Sequence, residues 1–155
     1  PLLTDRSTTR DLIKRLAIKP EEERGTTNTG DALKKAREEL LSSRHNPDAR
    51  SVIVLLTDGL ATAPGEDPDA YAREEAAKVA AEDITVFTIG LGQAVNMDFL
   101  RSIASAPEQA YAAPATSTLR SIYSAITAAI CEDGAARIDV IPKTRSNFSP
   151  LKSDL

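Results

Sequence analysis

Ser51-Val52-Ile53-Val54-Leu55-Leu56-Thr57-Asp58-Gly59, read SVIVLLTDG, sets five large aliphatic side chains in a row and ends on a carboxylate and a glycine. An apolar run without polar alternation is the composition of a strand covered on both faces by helices. By itself the Asp-Gly pair has a plain reading as a turn at the strand's exit.

Upstream, GTTNTGDAL at residues 25–33 opens a helix in which Leu33, Ala36, Leu40 and Leu41 form an apolar stripe against Lys34, Lys35, Arg37 and Glu38. HNPD at 45–48 breaks it. A helix from Gly30 to Ser42 is about 20 Å long, and a strand from Ser51 to Thr57 returns about 23 Å. Thr27 and Asp58 therefore come back to the same edge, the carboxyl end of the strands, where open α/β sheets bind ligands. A hydroxyl and a carboxylate meeting there suit magnesium, manganese or calcium and not zinc. Two donors do not complete such a site.

Downstream the alternation repeats. Asp67 followed by Pro68 gives a capped helix to about Glu82, with Tyr71, Val79 and Ala80 inward. ITVFTIG at 84–90 is a second strand, Asn96 caps a helix to about Ser105, and QAYAA at 109–113 is a short third strand. From Ser117 or Thr118 a last helix carries Leu119, Ile122, Tyr123, Ile126 and Ile130 at helical spacing. Near the start, Ser7 or Thr8 can cap a helix through Leu16 with Leu12, Ile13 and Leu16 on one face, and Pro20 with EEER reads as a solvated connection. Strands separated by amphipathic helices predict an open parallel sheet with helices on both faces.

Composition narrows the function. With 19 basic and 23 acidic residues in 155, the net charge of −4 offers neither a nucleic-acid surface nor a polybasic membrane patch. No apolar stretch is long enough to cross a bilayer. The single Cys131 allows no internal disulfide and reads as a small buried hydrophobe at a helix end. His45, the one histidine, lies in a polar loop at the opposite end of the sheet from Asp58, which predicts no serine or cysteine triad around it. Gly90-Leu91-Gly92 lacks the third glycine of a dinucleotide loop, since Val95 stands there, and Glu66, Asp67 and Asp69 lack the pattern of a calcium-binding EF-hand.

The paired motifs GTTNTGDAL and VIVLLTDG, with ITVFTIGLG and a helix containing FLRSIAS, resemble the von Willebrand factor type A domain, whose relatives include integrin inserted domains. The resemblance covers about residues 1–131. It implies a Rossmann-like sheet and a non-enzymatic, protein-binding role. In the family a metal-ion-dependent adhesion site holds a divalent cation between an Asp-x-Ser-x-Ser loop, a threonine and an aspartate. By motif position Thr27 is the threonine and Asp58 the aspartate, with Thr29 as a cap or supporting donor and Gly59 fitting the tight strand exit. The cation would be Mg2+, or Mn2+ or Ca2+, and its open position would take an acidic residue of a partner protein. Loops 24–29, 59–67 and 91–95 would frame that surface, in an extracytoplasmic setting.

The chain departs from the family in lacking its first strands and their Asp-x-Ser-x-Ser loop. Asp5-Arg6-Ser7-Thr8-Thr9 imitates that loop, but only PLLT precedes it, so it reads as a helix cap. Metal binding by this chain alone should be weak or nil. Without a central strand, Val52 to Leu56 should form an exposed apolar edge that aggregates or borrows a strand. Residues 1–132 form the domain portion, and 133–155, with AARIDVIP as a strand, read as a linker and the start of a following segment. Two alternatives stand beside the adhesion reading: a structural domain with a vestigial metal site, and a flavodoxin-like or receiver domain using Asp58 as its strand-end carboxylate.

Overall fold

The computed structural model describes residues 6–15, 26–58, 60–93 and 95–135. Among the described residues there are five α-helices and three strands, in the order α1 (Arg6–Arg15), α2 (Thr29–Leu40), β1 (Val52–Thr57), α3 (Pro68–Ala81), β2 (Thr85–Leu91), α4 (Met97–Ile103), β3 (Ala110–Ala113) and α5 (Leu119–Ala135). The strands form one parallel sheet in the order β1-β2-β3. Val52 to Thr57 lie opposite Thr85 to Gly90, and Thr88 to Leu91 lie opposite Ala110 to Ala113.

Alternation along the strands divides the core in two. On one face Ile53, Ile84 and Val86 pack with Leu33 of α2, Ala72, Ala76 and Val79 of α3, and Phe99, Leu100 and Ile103 of α4. On the other, Phe87, Ile89 and Ala113 pack with Ile122 and Ile126 of α5, flanked by Leu119 and Ile130. Both faces carry helices, as the alternation predicts. Thr88, fully buried, satisfies its hydroxyl by donating to the Leu100 carbonyl at 3.2 Å.

Several details correct the sequence reading. α1 spans Arg6–Arg15, which places Ser7 and Thr8 inside the helix, and Leu12 is exposed. Asn28 caps α2, its Oδ1 accepting from Asp31 N at 2.9 Å, while Thr29 is the buried first helical residue. Leu41 and Ala80 face solvent, and Glu75 takes an inward position on α3. Its carboxylate is held by Lys78 Nζ at 2.7 Å, with Arg37 Nη2 3.9 Å away. Tyr123 and Cys131 are exposed on α5. Asp67 and Asn96 cap α3 and α4 as their positions predict, accepting from Ala70 N and Phe99 N. Asp5, Leu16, Pro20 with EEER, Gly59 and the strand expected at 135–142 beyond Ala135 lie outside the described residues, and α5 continues across the 132–133 boundary.

Candidate cation site at the carboxyl end of the sheet

Parallel strands deliver their following loops to one rim. Asp58 leaves β1 there as an exposed carboxylate, next to the position where Thr57 lies opposite Gly90 of β2. Thr27 is brought to the same loops from α2. Its N–H donates to Thr62 Oγ1 at 2.7 Å, and its carbonyl accepts from Thr62 N at 2.8 Å and Ala63 N at 3.2 Å. Three hydrogen bonds thus fasten the backbone of Thr27 to the segment four and five residues beyond Asp58. Its hydroxyl has no described partner.

A second set of contacts fixes the start of α2. Asn28 caps the helix and donates from Nδ2 to Asp31 Oδ2 at 2.6 Å, while Tyr71 of α3 donates its hydroxyl to Asp31 Oδ1 at 2.8 Å. That bond to a carboxylate, with the ring's partial burial, holds the Tyr71 phenol above its ordinary pKa. A Cβ on Gly30 would stand 2.3 Å from the Tyr71 ring, so only glycine lets the aromatic ring lie against the helix start. Sequence reading put Tyr71 in the core and assigned Asp31 no role. Asp31 three residues after Asn28 is the visible half of this arrangement; Tyr71 and Thr62 are 40 and 35 residues from the groups they bind, and no local pattern marks them.

The third loop of the rim is set by glycine. A Cβ on Gly90 would meet Val95 Cγ2 at 2.7 Å and Leu100 Cδ1 at 2.9 Å, so its absence lets the loop after β2 fold over the strand end. Gly90 and Leu91 are strand residues, and the turn falls at Gly92, whose φ is 88° and whose N–H donates to the Ala113 carbonyl at 2.8 Å.

Among the described residues no group of three or more His, Cys, Asp or Glu side chains could hold a metal. Thr27 and Asp58 fit a hard divalent cation in donor type, both offering oxygen, but not in number. Glu66, Asp67 and Asp69 make no alternative centre, since Asp67 is the cap of α3 and Asp69 faces Arg73. At the opposite end of the sheet His45 does have a serine partner, Ser51, with Nε2 and Oγ 3.2 Å apart. Among the described residues no carboxylate binds the other ring nitrogen, so the pair closes the loop before β1 without forming a triad. No helix among the described residues is long and apolar enough to cross a membrane.

The profile of the von Willebrand factor type A domain matches residues 2–125. Among solved structures, proximal thread matrix protein 1 from the mussel byssus is 26% identical, with a TM-score of 0.67 over 81% of this chain. One structure of that protein is described with a zinc-occupied MIDAS motif. The manganese-loaded TRAP protein of Plasmodium vivax, at 24% identity and TM-score 0.52, and the pilus adhesin SpaC of Lactobacillus rhamnosus GG, at 12% and 0.62, share the fold. The chain covers 76% and 83% of itself in these two matches. It spans 31% of the mussel protein, 43% of the TRAP protein and 22% of the adhesin. No curated protein matches it.

Proposed function

The chain belongs to the von Willebrand factor type A family, and from that premise we propose that it is part of a protein-binding adhesion module that captures an acidic residue of a partner protein through a divalent cation. Thr27 and Asp58 are its contribution to the cation, with Thr29 and Gly59 supporting the loops that present them. The observation that carries this reading is the three-bond clasp of Thr27 by the segment following Asp58, which ties the two candidate donors' loops into one rim. Its kinship to a protein with an occupied MIDAS motif supports it further.

A bound cation would supply an open coordination position for the partner's carboxylate. The chain's own residues do the positioning: Asn28, Asp31 and Tyr71 hold the α2 start, and Gly90 lets the third loop reach the rim. Oxygen donors favour Mg2+ or Mn2+. The remaining ligands come from the family's Asp-x-Ser-x-Ser loop, on strands preceding these residues or on another chain. No enzymatic role is part of this reading, and its setting is extracytoplasmic, as for the byssal and pilus proteins that share the fold. The shortage of donors among the described residues favours one second reading, a structural domain whose metal site is vestigial.

Calorimetric titration of magnesium and manganese into the chain, with Asp58→Ala as control, tests the proposal. Millimolar or weaker binding that the substitution abolishes is expected. Heat that is the same in both proteins counts against Asp58 as a ligand and favours the vestigial site; none in either means that these residues are half a site at most, and that cation binding depends on the family's Asp-x-Ser-x-Ser loop.

A further inference from the structure

Leu60 stands two residues past Asp58 on the rim and is 51% exposed. Its loop is fixed there, because Thr62 and Ala63 just beyond it are tied to Thr27 by three hydrogen bonds. The loops that leave the three strands read DGLATAPG at 58–65, GQAVN at 92–96 and PATST at 114–118. In a chain that is 27% charged, Asp58 is the one charged residue of these stretches. Charged side chains are the ones most often found at a surface, yet this surface exposes Leu60, Pro64, Pro114 and Ala115. Charge resumes at Glu66, at the entry to α3. The other carboxylates near the helix starts are engaged: Asp31 accepts from Asn28 and Tyr71, Asp67 caps α3, and Asp98 pairs with Arg101 at 2.9 Å.

Resting on the cation reading above, we infer that the partner segment taken by this rim presents one acidic residue among uncharged, apolar neighbours, and that one of those neighbours packs on Leu60. A cation with one open position takes one carboxylate. The loops around it offer no second charge for a flanking lysine, arginine, aspartate or glutamate to pair with. Such a flanking charge would be pressed against apolar surface and lose water without gaining a partner, which weakens binding. A flanking aliphatic side chain instead takes the exposed part of Leu60 out of water. It does so beside the anchoring carboxylate, where an apolar rim also keeps solvent from the ion contact. A rim that selected partners by charge would present lysines or arginines to acidic flanks, or free carboxylates to basic ones, and these three loops present only Asp58.

Three synthetic peptides of equal length test this, each with a central glutamate in a serine-glycine frame, flanked on both sides by leucine, by lysine or by aspartate. Each is titrated into the isotope-labelled whole chain in excess magnesium and followed by the amide shifts of the rim loops. The leucine peptide should bind about tenfold more tightly than either of the others. Leu60→Lys should remove that advantage and Leu60→Ala should reduce it, whereas Leu41→Ala, at a 52% exposed position at the far end of α2, should leave it unchanged. The amide spectrum checks the fold of each variant, and if Leu60→Lys does not fold, Leu60→Ala decides. Equal binding of the three peptides, a preference for a charged flank, a leucine preference indifferent to the Leu60 variants, or no binding of any peptide would each overturn the inference. Failure of the cation reading looks different: the leucine peptide would then bind as well with glutamine in place of glutamate, or with the magnesium chelated.

Discussion

β1 and β2 lie side by side with nearly the same apolar content, yet five of the seven β2 residues are buried and only two of the six in β1. VIVLLT is, if anything, the more hydrophobic sequence. The difference arises from place: among the described residues β2 has a strand on either side, α3 and α4 on one face and α5 on the other, while β1 has helices over one face and a strand on one side. A strand's composition records the surroundings it is suited to. Its surroundings in a given fold depend on which elements are there to cover it.

Substitutions can break this contrast or sharpen it. The largest effect should come from Phe87→Ala in β2, which empties a fully buried site and should cost about 3–5 kcal/mol in urea unfolding. Val54→Ala, directly opposite in β1, should cost less than about 1 kcal/mol at concentrations where the chain is monomeric. Equal costs would mean that Val54 is covered in solution. Next, Gly90→Ala should destabilise by about 1–3 kcal/mol through the close approach of Val95 and Leu100, as seen by differential scanning calorimetry. A neutral result would show that the loop after β2 yields easily.

The smallest effect concerns the covered side of β1, where Tyr71 joins α3 to α2. Its phenol pKa is raised in the folded chain, so its contribution is fully present below the ordinary tyrosine pKa of about 10 and is lost as pH rises through the higher folded value. Stability should therefore fall more steeply above about pH 10 in the native chain than in Tyr71→Phe. Parallel pH profiles would remove Tyr71 from the tie between the two helices.

The same contrast governs what could be read from sequence. The caps at Asp67 and Asn96 were legible because an N-cap binds a backbone N–H three residues away. At α2 the sequence reading offered Thr29 as a cap, whereas Asn28 caps the helix and Thr29 is buried as its first residue, with Thr27 held by Thr62. On α5, Ile122 and Ile126 were rightly placed inward, but Tyr123 is 45% exposed. Helical period identifies a stripe and not its limits, which are set by how far the sheet extends beneath the helix.

Taken alone, the sequence determined the order of helices and strands, the parallel sheet and the family. These follow from local periodicity, capping and the lengths of successive elements, which neighbouring residues encode. Only the tertiary structure decided that Thr62 clasps Thr27 and that Tyr71 secures Asp31 over a glycine. Those outcomes depend on contacts between distant segments, and no window of the sequence holds both sides of such a contact.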